Sequence, residues 1–399
     1  MRPPLHPRVL LGQHGRMCAE PAGIYLHWPF CERKCPYCDF YTFGREHPSF
    51  KFGPDYLGAL IDEIETAPAR LGFTGKPAAD TVYFGGGTPS LMGEAAVGRV
   101  LSALHRVFEI SPGAEVTLEV NPTTAESAGL GEILSIGVNR LSVGCQSFSD
   151  RVLAELGRVH DAETARRAIR RMREAGAENL SLDLIFGAPT QTLADLDADL
   201  DELLSFAPEH VSAYNMTVHD GTPFARRQSE GRLPLPGEDE QVAMFGLMID
   251  RLAAAGYEHY EISNWARPGR RSRHNSKYWR RCDVYAFGVA AHGVIGGARM
   301  ENPCDLAQYL RIGDRILARP SDPPADERAR RGEIMMLALR RVDGVAWDEI
   351  DDWMGADARE YYRPELGRLE RDGLIETAPV LRLTRRGILI ADTVMEAFF

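Results

Sequence analysis

The sequence lacks long apolar runs, and lysine is scarce in it. No apolar stretch approaches the roughly 18 residues that cross a bilayer, so we expect membrane contact to be peripheral at most. Only four of the 46 basic residues are lysine, and 57 acidic residues give a net charge of −11, which argues against nucleic acid as a partner. With 44% hydrophobic residues among 399, the composition is that of a globular protein with a large core.

Cysteine is also sparse. The cysteines are grouped at only one place in the sequence, and that group has three members and no fourth. Three of the seven cysteines lie within eight residues: Cys31, Cys35 and Cys38. In a large chain without a signal peptide, this spacing indicates a metal site or catalysis rather than disulfides. We expect three others to be free thiols of a reducing cytoplasm, which is the location that we expect for the protein: Cys18, Cys282 and Cys304.

β-rich runs alternate with amphipathic segments over the first 218 residues. The predicted strands are 23–29, 81–85, 115–120, 140–145, 179–186 and 210–218. The predicted helices lie near 54–68, 92–108, 124–136, 161–175 and 192–205. Six strands that alternate with five helices predict an α/β fold with a parallel sheet, either doubly wound or closed into a partial barrel.

The chain divides into four predicted regions: an N-terminal extension over 1–22, a barrel over 23–219, an extension of the barrel over 220–318 and a C-terminal domain over 324–399. The native start is either Met1 or Met17, and a turn-rich linker is expected at 319–324. Predicted helices near 326–340, 346–353 and 358–371, a hairpin at 373–383 and a last helix from Thr384 are typical of a winged-helix module. Its 12 arginines and 17 acidic residues over 321–399 argue against DNA as its ligand.

The cysteine cluster is the most informative motif. Three thiolates on one tight loop can hold three corners of a cubane [4Fe–4S] cluster and leave one iron open to an exogenous ligand. An amine and a carboxylate of one amino acid could chelate that iron. The alternative is a zinc site in which His47 supplies the fourth ligand.

Polar or glycine-rich sequence follows several predicted strands at the edge where parallel folds bind ligands. The turn Gly85–Gly87 lets the backbone approach a ligand closely, although such a turn is also an ordinary tight loop. Glu119 could hold ribose hydroxyls, or it is a solvated acid at a strand end. Arg158 could pair with a ligand carboxylate or form an ion pair with Asp183.

Together these motifs resemble the radical S-adenosylmethionine (SAM) superfamily, in which the open iron binds SAM. The spacing Cys-x3-Cys-x2-Cys, with Tyr37 before the third cysteine, is the first element of the resemblance. Further segments resemble the branch that contains oxygen-independent coproporphyrinogen III dehydrogenase and haem chaperones: Gly-Gly-Gly-Thr-Pro-Ser, Glu-Val-Asn-Pro, Gly-Val-Asn-Arg-Leu-Ser, Gln-Ser-Phe, Leu-Gly-Arg-Val-His and Asp-Leu-Ile-Phe-Gly. The resemblance runs from Gly23 to the C-terminus and implies a partial (β/α)6 barrel with a mainly helical C-terminal domain.

The resemblance also implies site residues. The [4Fe–4S] cluster would be held by Cys31, Cys35 and Cys38. SAM would be contacted by Tyr25, Gly86, Gly87, Thr88, Glu119, Gln146, Arg158 and Asp183.

Two features separate the members of this branch. The dehydrogenase typically has a further cysteine two residues after the third cluster cysteine, where this chain has Phe40. The segment His-Asn-Ser-Lys-Tyr-Trp matches a motif associated with haem in the chaperones and implies three haem contacts: His274, Tyr278 and Trp279. Neutral imidazole is a good axial ligand for haem iron, and an indole can cover a porphyrin face. The alternative is a polar and aromatic cluster that seals the joint between barrel and tail.

A basic run without acidic residues surrounds that motif: Arg267, Arg270, Arg271, Arg273, Lys277, Arg280 and Arg281. Such a run would suit the carboxylates of a tetrapyrrole, and it would equally suit solvent or an acidic partner. Three residues depart from the pattern of the branch: Cys145, Thr190 and His219.

The resemblance favours a carrier: a chaperone that binds haem and a [4Fe–4S]/SAM site and passes haem to acceptor apoproteins. The alternatives are radical SAM decarboxylation of coproporphyrinogen III and a radical SAM methyltransferase of the same branch. Because the residues of the implied SAM site are all present, enzymatic turnover of SAM is kept as an alternative. The partners implied are haem or a related tetrapyrrole, acceptor apoproteins and a second copy of the chain, with no nucleic acid.

Overall fold

The computed structural model describes residues 18–125, 129–311, 319–320 and 326–399. Six strands form the parallel part of its main sheet: β1 Ala22–Trp28, β2 Ala78–Gly86, β3 Glu109–Val120, β4 Arg140–Gln146, β5 Leu180–Phe186 and β6 His210–Asn215. Six shorter strands follow: β7 Glu258–Glu261, β8 Asn264–Ala266, β9 Val284–Phe287, β10 His292–Ile295, β11 Ala298–Glu301 and β12 Arg319–Pro320. Most of the expected extension over 1–22, with Met17, and part of the expected linker lie outside the described residues.

The helices of the barrel region alternate with these strands: α1 Gly53–Leu71, α2 Gly93–Val107, α3 Leu130–Ser135, α4 Asp150–Glu155, α5 Ala162–Glu174 and α6 Leu193–Ser205. Four more follow β6: α7 Pro223–Ser229, α8 Glu238–Ala254, α9 Arg273–Trp279 and α10 Leu306–Leu310. Short 3₁₀ turns at Pro48–Phe52, Pro89–Met92 and Pro122–Thr124 open with proline, which fits the first turn of a helix.

The sheet order is β12-β11-β10-β9-β1-β2-β3-β4-β5-β6-β8-β7. The pairs from β1 to β6 are all parallel, as the alternating sequence pattern predicts. β9 adds to the free edge of β1 in parallel, and β8 adds to β6 in antiparallel orientation. The sheet therefore continues across the boundary expected at 219–220.

The barrel strands carry polar side chains on the face that points into the barrel. In β5, for example, Ser181 and Asp183 alternate with buried leucines. The Ser142 hydroxyl on β4 donates to Asp183, and Ser181 is hydrogen-bonded to His210 on β6, so these polar faces meet inside. The apolar faces pack against the surrounding helices.

Helix α9 closes the end of the barrel where the strands begin. The backbone N–H of His274 donates to Glu115 Oε1 (3.0 Å), and its ring Nδ1 is hydrogen-bonded to Thr81 Oγ1 (2.9 Å). Lys277 is almost fully buried, forms an ion pair with Asp80 (2.7 Å) and donates to a backbone carbonyl before β1. Asp80 and Thr81 lie in the first half of β2, Glu115 lies at the middle of β3 and Pro21 precedes β1, so α9 is a plug at the opposite end of the barrel from the cysteine loop.

The C-terminal module contains α11 Glu327–Leu339, α12 Trp347–Met354, α13 Ala358–Tyr361, α14 Arg363–Arg371, the hairpin β13 Ile375–Glu376 with β14 Arg382–Leu383, α15 Arg385–Leu389 and α16 Ala391–Glu396. This order of helices, hairpin and helices agrees with the predicted winged-helix-like module. The Arg340 guanidinium stacks 4.4 Å from the Trp279 ring, and Asp343 pairs with Arg271, so the module packs beside the α9 plug.

Two cysteines that we expected to be free are paired. Cys18 and Cys282 form a disulfide that spans 264 residues of sequence, so that expectation is wrong. They meet because β1 and β9 run side by side, with Gly23 N donating to Asp283 O (2.8 Å). Cys304 is free and exposed, as expected.

The basic run does not form an open patch. Four of its cations pair with acidic residues from elsewhere in the chain: Arg271, Arg273, Lys277 and Arg280. The run holds α9 against the barrel and the C-terminal module.

None of the helices in the described part of the chain combines the length and the apolar character that a bilayer crossing requires.

Candidate functional site

The cysteine loop follows β1 and folds back on it. Cys31 N donates to Phe43 O (2.8 Å), and Phe43 N donates to Pro29 O (2.7 Å), so the two ends of the loop are tied together. Cys38 N donates to Cys35 O (3.1 Å), which makes the tight turn between the second and third cysteines. All three are free and half-buried; Cys31 Sγ lies beside Gly87, at the end of β2, and Cys35 Sγ lies beside Arg158.

The surroundings of these thiols favour sulfur atoms that are bound to a metal over free thiolates. Burial raises the pKa of Cys31 to about 11 and also raises the pKa of Cys38. A metal centre that bonds to the sulfurs would offset this cost, because coordination removes the thiol proton. The Arg158 guanidinium donates to Cys35 Sγ (3.3 Å), which adds positive charge beside the second ligand.

The surroundings of His47 favour a cluster over a zinc ion, because a structural zinc site takes four protein ligands. The proposed fourth zinc ligand, His47, is exposed, and its Nδ1 accepts from Ser49 N instead. The donor set therefore fits a [4Fe–4S] cluster with three protein ligands.

The glycine turn after β2 is locked against the cysteine loop. Gly87 N donates to Trp28 O (2.7 Å), and Thr88 N donates to Phe30 O (2.9 Å). A Cβ at position 87 would lie 2.8 Å from two backbone oxygens and 3.0 Å from Cys31 Sγ. Gly86 has φ +107°, and a Cβ there would strike the His27 ring at 2.6 Å. Both positions require glycine, and the turn packs against Cys31, the first of the predicted cluster ligands.

Glu119 joins the glycine turn to the barrel interior. Its Oε1 accepts from the Tyr83 hydroxyl (2.8 Å), and its Oε2 accepts from Gly86 N (3.1 Å). Burial, with the nearby Asp183 carboxylate, raises the pKa of Glu119 to about 7 despite these two donors. A carboxylate held in this way can accept hydrogen bonds from hydroxyl or ammonium groups of a ligand at the turn.

Arg158 and Asp183 do not form the ion pair that the sequence suggested as an alternative. Arg158 Nη2 donates to Gly144 O (3.0 Å) and Asn121 Oδ1 (3.3 Å), besides the contact to Cys35. Asp183 accepts from the hydroxyls of Ser142 and Ser181 instead, and burial raises its pKa to about 6. Arg158 Nε is buried and has no hydrogen-bond partner among the described residues.

Two other predicted SAM contacts line the same mouth. Gln146 ends β4 with φ +68°, a left-handed conformation that is strained for a residue with a side chain. The Tyr25 hydroxyl is hydrogen-bonded to His27 Nδ1 (3.1 Å), while His27 Nε2 donates to Tyr41 O (3.1 Å). Burial lowers the pKa of His27 to about 4, so this link between β1 and the cysteine loop is neutral.

The three residues of the haem motif lie on the plug. His274 is buried, its Nε2 is hydrogen-bonded to the Tyr278 hydroxyl (3.2 Å), and its ring stacks on Tyr83 with centroids 5.0 Å apart. Because Thr81 holds the other nitrogen, both ring nitrogens are engaged. Burial, with Lys277 and Arg140 nearby, lowers the pKa of His274 to about 3. Trp279 lies apart from the barrel interior, under Arg340.

The departures from the branch pattern have local explanations. Thr190 has φ +62°, a conformation that favours glycine, and Arg151 donates to both its carbonyl (2.8 Å) and its hydroxyl (2.6 Å). His219 lies 3.5 Å from Asp39, which directly follows the cysteine loop. Cys145 is fully buried in the core. Phe40 is 61% exposed.

Sequence reasoning missed several residues that build this site: Tyr83, His27, Asn121 and Arg140. Arg140 is 1% exposed inside the barrel, and its Nε and Nη1 have no hydrogen-bond partner in the part of the chain that the structure describes. The signal was available in the period-two alternation of the strands, which places a polar residue at every second position.

Comparisons with known proteins agree with this architecture. Residues 25–203 match the radical SAM superfamily, and residues 325–390 match the HemN C-terminal domain. The solved structure of coproporphyrinogen III oxidase (HemN) from Escherichia coli, described as a radical SAM enzyme, superposes with a TM-score of 0.79 at 23% identity and covers 98% of this chain and 91% of that one.

Two curated relatives match nearly end to end. The heme chaperone HemW of Bacillus subtilis is 34% identical over 94% of this chain and 98% of its own length. The heme chaperone HemW of Mycobacterium tuberculosis strain H37Rv is 37% identical, with 95% of each chain covered.

The barrel, the cysteine loop and the C-terminal module define a radical SAM protein with the HemN fold. Within that class, the chain belongs to the HemW family. The fold and the resemblance that the sequence predicted are confirmed, and the superfamily implies a [4Fe–4S] cluster and SAM as cofactors.

Proposed function

We propose that this protein is a haem chaperone that binds haem, keeps a [4Fe–4S]/SAM site and transfers haem to acceptor apoproteins. The observation that carries the proposal is the similarity, at 34% and 37% identity over nearly the whole chain, to relatives named heme chaperone HemW. Phe40 supports it, because the dehydrogenase of the branch typically has a cysteine at that position.

The cofactor site would use the residues gathered at the mouth of the barrel. Cys31, Cys35 and Cys38 would bind the cluster. SAM would lie against Tyr25, Gly86, Gly87, Thr88, Glu119, Gln146, Arg158 and Asp183. The bound cluster supplies the electron for reductive cleavage of SAM in this superfamily. The chain itself orients the ligand with the glycine turn and accepts its polar groups at Glu119 and Asp183.

The haem motif would act on this site from the opposite end of the barrel, where α9 lies. His274 and Tyr278 reach the interior beside Tyr83, whose hydroxyl donates to Glu119, so a change at the plug is two contacts away from Glu119 and three from the glycine turn. For His274 to ligate haem iron, its bond to Thr81 or Tyr278 would have to open. A cytoplasmic location suits the proposal, because unpaired cluster cysteines need a reducing compartment.

A haem-transfer experiment tests the function. Purified protein is loaded with one equivalent of ferric haem and mixed with an apoprotein acceptor, and the acceptor's absorbance or activity is followed. We expect stoichiometric haem binding and transfer that is faster than from serum albumin as a passive carrier. Failure to bind haem at micromolar concentration would refute the proposal.

The decarboxylase alternative needs its own assay. Anaerobically reconstituted protein is given SAM, a low-potential reductant and coproporphyrinogen III, and 5′-deoxyadenosine and porphyrin products are measured together. Cys35→Ala should abolish deoxyadenosine, whereas the matched variant Cys304→Ala, at an exposed free cysteine, should not. We expect no protoporphyrinogen; its formation in proportion to deoxyadenosine would replace the chaperone by the dehydrogenase.

A further inference from the structure

Arg140 carries a positive charge inside the barrel and has no ion-pair partner in the described part of the chain. It is the first residue of β4, and only 1% of its surface is exposed. Its Nε and Nη1 are buried, and no described residue accepts a hydrogen bond from either atom. Burial of a charge without a partner is costly, so Arg140 does not stabilise the fold as one half of a salt bridge.

The strand register places Arg140 one layer below the two carboxylates of the candidate SAM site. Its Cα pairs with that of Thr117 on β3, and two residues further along the same strands Ser142 pairs with Glu119. Ser142 in turn donates to Asp183 on β5 (3.1 Å). Because every second side chain points to the same face of a strand, Arg140 shares the inner face with these residues. Its side chain therefore starts on the α9 side of both carboxylates, away from the glycine turn.

The charge of Arg140 acts on both carboxylates. Burial raises the pKa of Asp183 to about 6 and the pKa of Glu119 to about 7, and the Arg140 guanidinium opposes both shifts. Besides burial, the same guanidinium contributes to the lowered pKa of His274 on α9 and of His210 on β6. A charge that acts on residues of β3, β5, β6 and α9 lies near the axis of the barrel, where water screens it little.

Other titratable groups adjoin the two carboxylates from the surrounding elements. Burial raises the pKa of each, so each is neutral at pH 7: Tyr25 on β1, Tyr83 on β2, Cys145 on β4, Tyr214 on β6 and Tyr278 on α9. Arg158 is held at the mouth by three other partners. Besides burial, the Asp183 carboxylate raises the pKa of Glu119, so the two acids need a nearby cation to be ionised together. Arg140 is placed to supply it.

We propose that Arg140 is a positioning residue of the SAM site, whose charge keeps Glu119 and Asp183 ionised so that both accept hydrogen bonds from the ligand. The guanidinium does not touch the ligand and acts through the two carboxylates. Ionised carboxylates are strong acceptors for hydroxyl and ammonium groups, which the ribose and the amino-acid end of SAM carry. This inference rests on the proposed function, because it takes SAM as the molecule bound at Glu119 and Asp183.

Binding of radiolabelled SAM to the anaerobically reconstituted full-length protein tests the role, by equilibrium dialysis between pH 5.5 and pH 9. The wild type should bind SAM more tightly as the two carboxylates ionise, with midpoints near pH 6 and pH 7. In Arg140→Met, this rise in affinity should move upward by at least one pH unit. At pH 7 the variant should therefore bind SAM about tenfold more weakly, and at pH 9 it should recover. The titration of SAM itself is common to all variants.

Further variants separate this role from a structural one. Arg140→Gln is a second neutral replacement and should show the same shift, whereas Arg140→Lys keeps the charge and should restore most of the affinity at pH 7. The matched control is Arg173→Met, which removes an arginine that pairs with Glu209 on the outside of the barrel and should bind SAM like the wild type at every pH. Urea unfolding and iron content are measured for each variant.

The outcomes separate this inference from the proposed function. If the neutral variants weaken SAM binding by one factor at every pH, or leave it unchanged, Arg140 does not keep the carboxylates ionised, while the chaperone function, which haem transfer measures, stands. A wild-type affinity that stays constant between pH 5.5 and pH 8 overturns the inference without any variant. If the wild type does not bind SAM, the cofactor site of the proposed function fails, and the inference fails with it.

Discussion

The polar residues inside the barrel pair chiefly with one another, and their protonation follows from burial. Glu119, with a pKa near 7, and His274, with a pKa near 3, lie on either side of Tyr83. Desolvation disfavours the charged form of each, so the carboxyl titrates high and the imidazole titrates low. As the pH falls, Glu119 should therefore raise the free energy of unfolding and His274 should lower it.

His274 makes the fold sensitive to acid. Its folded pKa of about 3 lies below the usual 6.5, so the unfolded chain binds this proton first as the pH falls. The free energy of unfolding should drop by about 2 kcal/mol between pH 7 and pH 5 from this residue alone. His274→Gln should flatten the pH dependence by that amount in urea unfolding. Equal slopes for the variant and the wild type would show that the imidazole is not buried neutral.

Glu119 should act in the opposite direction in protein without ligands. Its folded pKa of about 7 lies above the usual 4.5, so the folded state holds the proton more strongly. As the pH rises from 4.5 to 7, this residue should lower the free energy of unfolding by about 2–3 kcal/mol, and the decline should level off about one pH unit above the folded pKa. Glu119→Gln should remove that decline. A variant that loses stability equally at pH 5 and pH 7 would contradict the assignment.

The elements of the barrel follow from the sequence pattern, whereas the elements that complete the sheet do not. β4 and β5 begin at or within one residue of their predicted starts, because apolar runs between turn signals define them. β9 has only four residues, too few for a periodic pattern, whereas the three acidic residues in the first turn of α8 are a helix-start signal that the sequence analysis did not use. Their positions depend on pairing with β1 and packing on the barrel, which are tertiary effects.

The candidate site divides in the same way. The cysteine loop and the glycine turn could be placed at one mouth because both follow parallel strands. The contact of Arg158 with Cys35 could not be predicted, because it joins residues more than 100 positions apart in the sequence. The burial of His274 could not be predicted either, because it depends on a helix in an irregular region of the sequence.

The contact between the glycine turn and the cysteine loop gives a test at this scale. Gly87→Ala should push against Cys31 Sγ and two backbone oxygens, and we expect the protein to retain less than half of its iron after anaerobic reconstitution. Gly75→Ala is the matched control, because a Cβ there meets nothing within 4 Å. Iron and sulfide analysis, with the absorbance near 400 nm, measures the result. Full iron content in the Gly87 variant would mean that the turn does not position the first ligand.

At the scale of the whole molecule, one disulfide joins the segment before β1 to the segment after α9. A cross-link over 264 residues removes much of the freedom of the unfolded chain, which by chain entropy amounts to about 5 kcal/mol. Such a bond is unusual in a cytoplasmic protein, and it is separate from the three cluster cysteines.

Reduction should therefore weaken the oxidised protein. Adding dithiothreitol should lower the urea midpoint of the wild type, and Cys282→Ser should show the lower midpoint with no response to the reductant. Cys304→Ser, at an exposed unpaired cysteine, should behave like the wild type. Peptide mapping without reduction checks the pairing directly. If the wild type shows no linked peptide after oxidation, the two thiols are not close enough to pair.

The parallel pairing of β1 with β9 has a consequence for synthesis on the ribosome. β1 emerges early, but its second edge finds a partner only when Val284–Phe287 has left the exit tunnel. A nascent chain that has completed β6 has β1 paired with β2, but the other edge of β1, directly before the cysteine loop, is still free. The barrel therefore cannot be completed in order from the N-terminus during translation. The loop that would bind iron can reach its final conformation only after β9 has been synthesised.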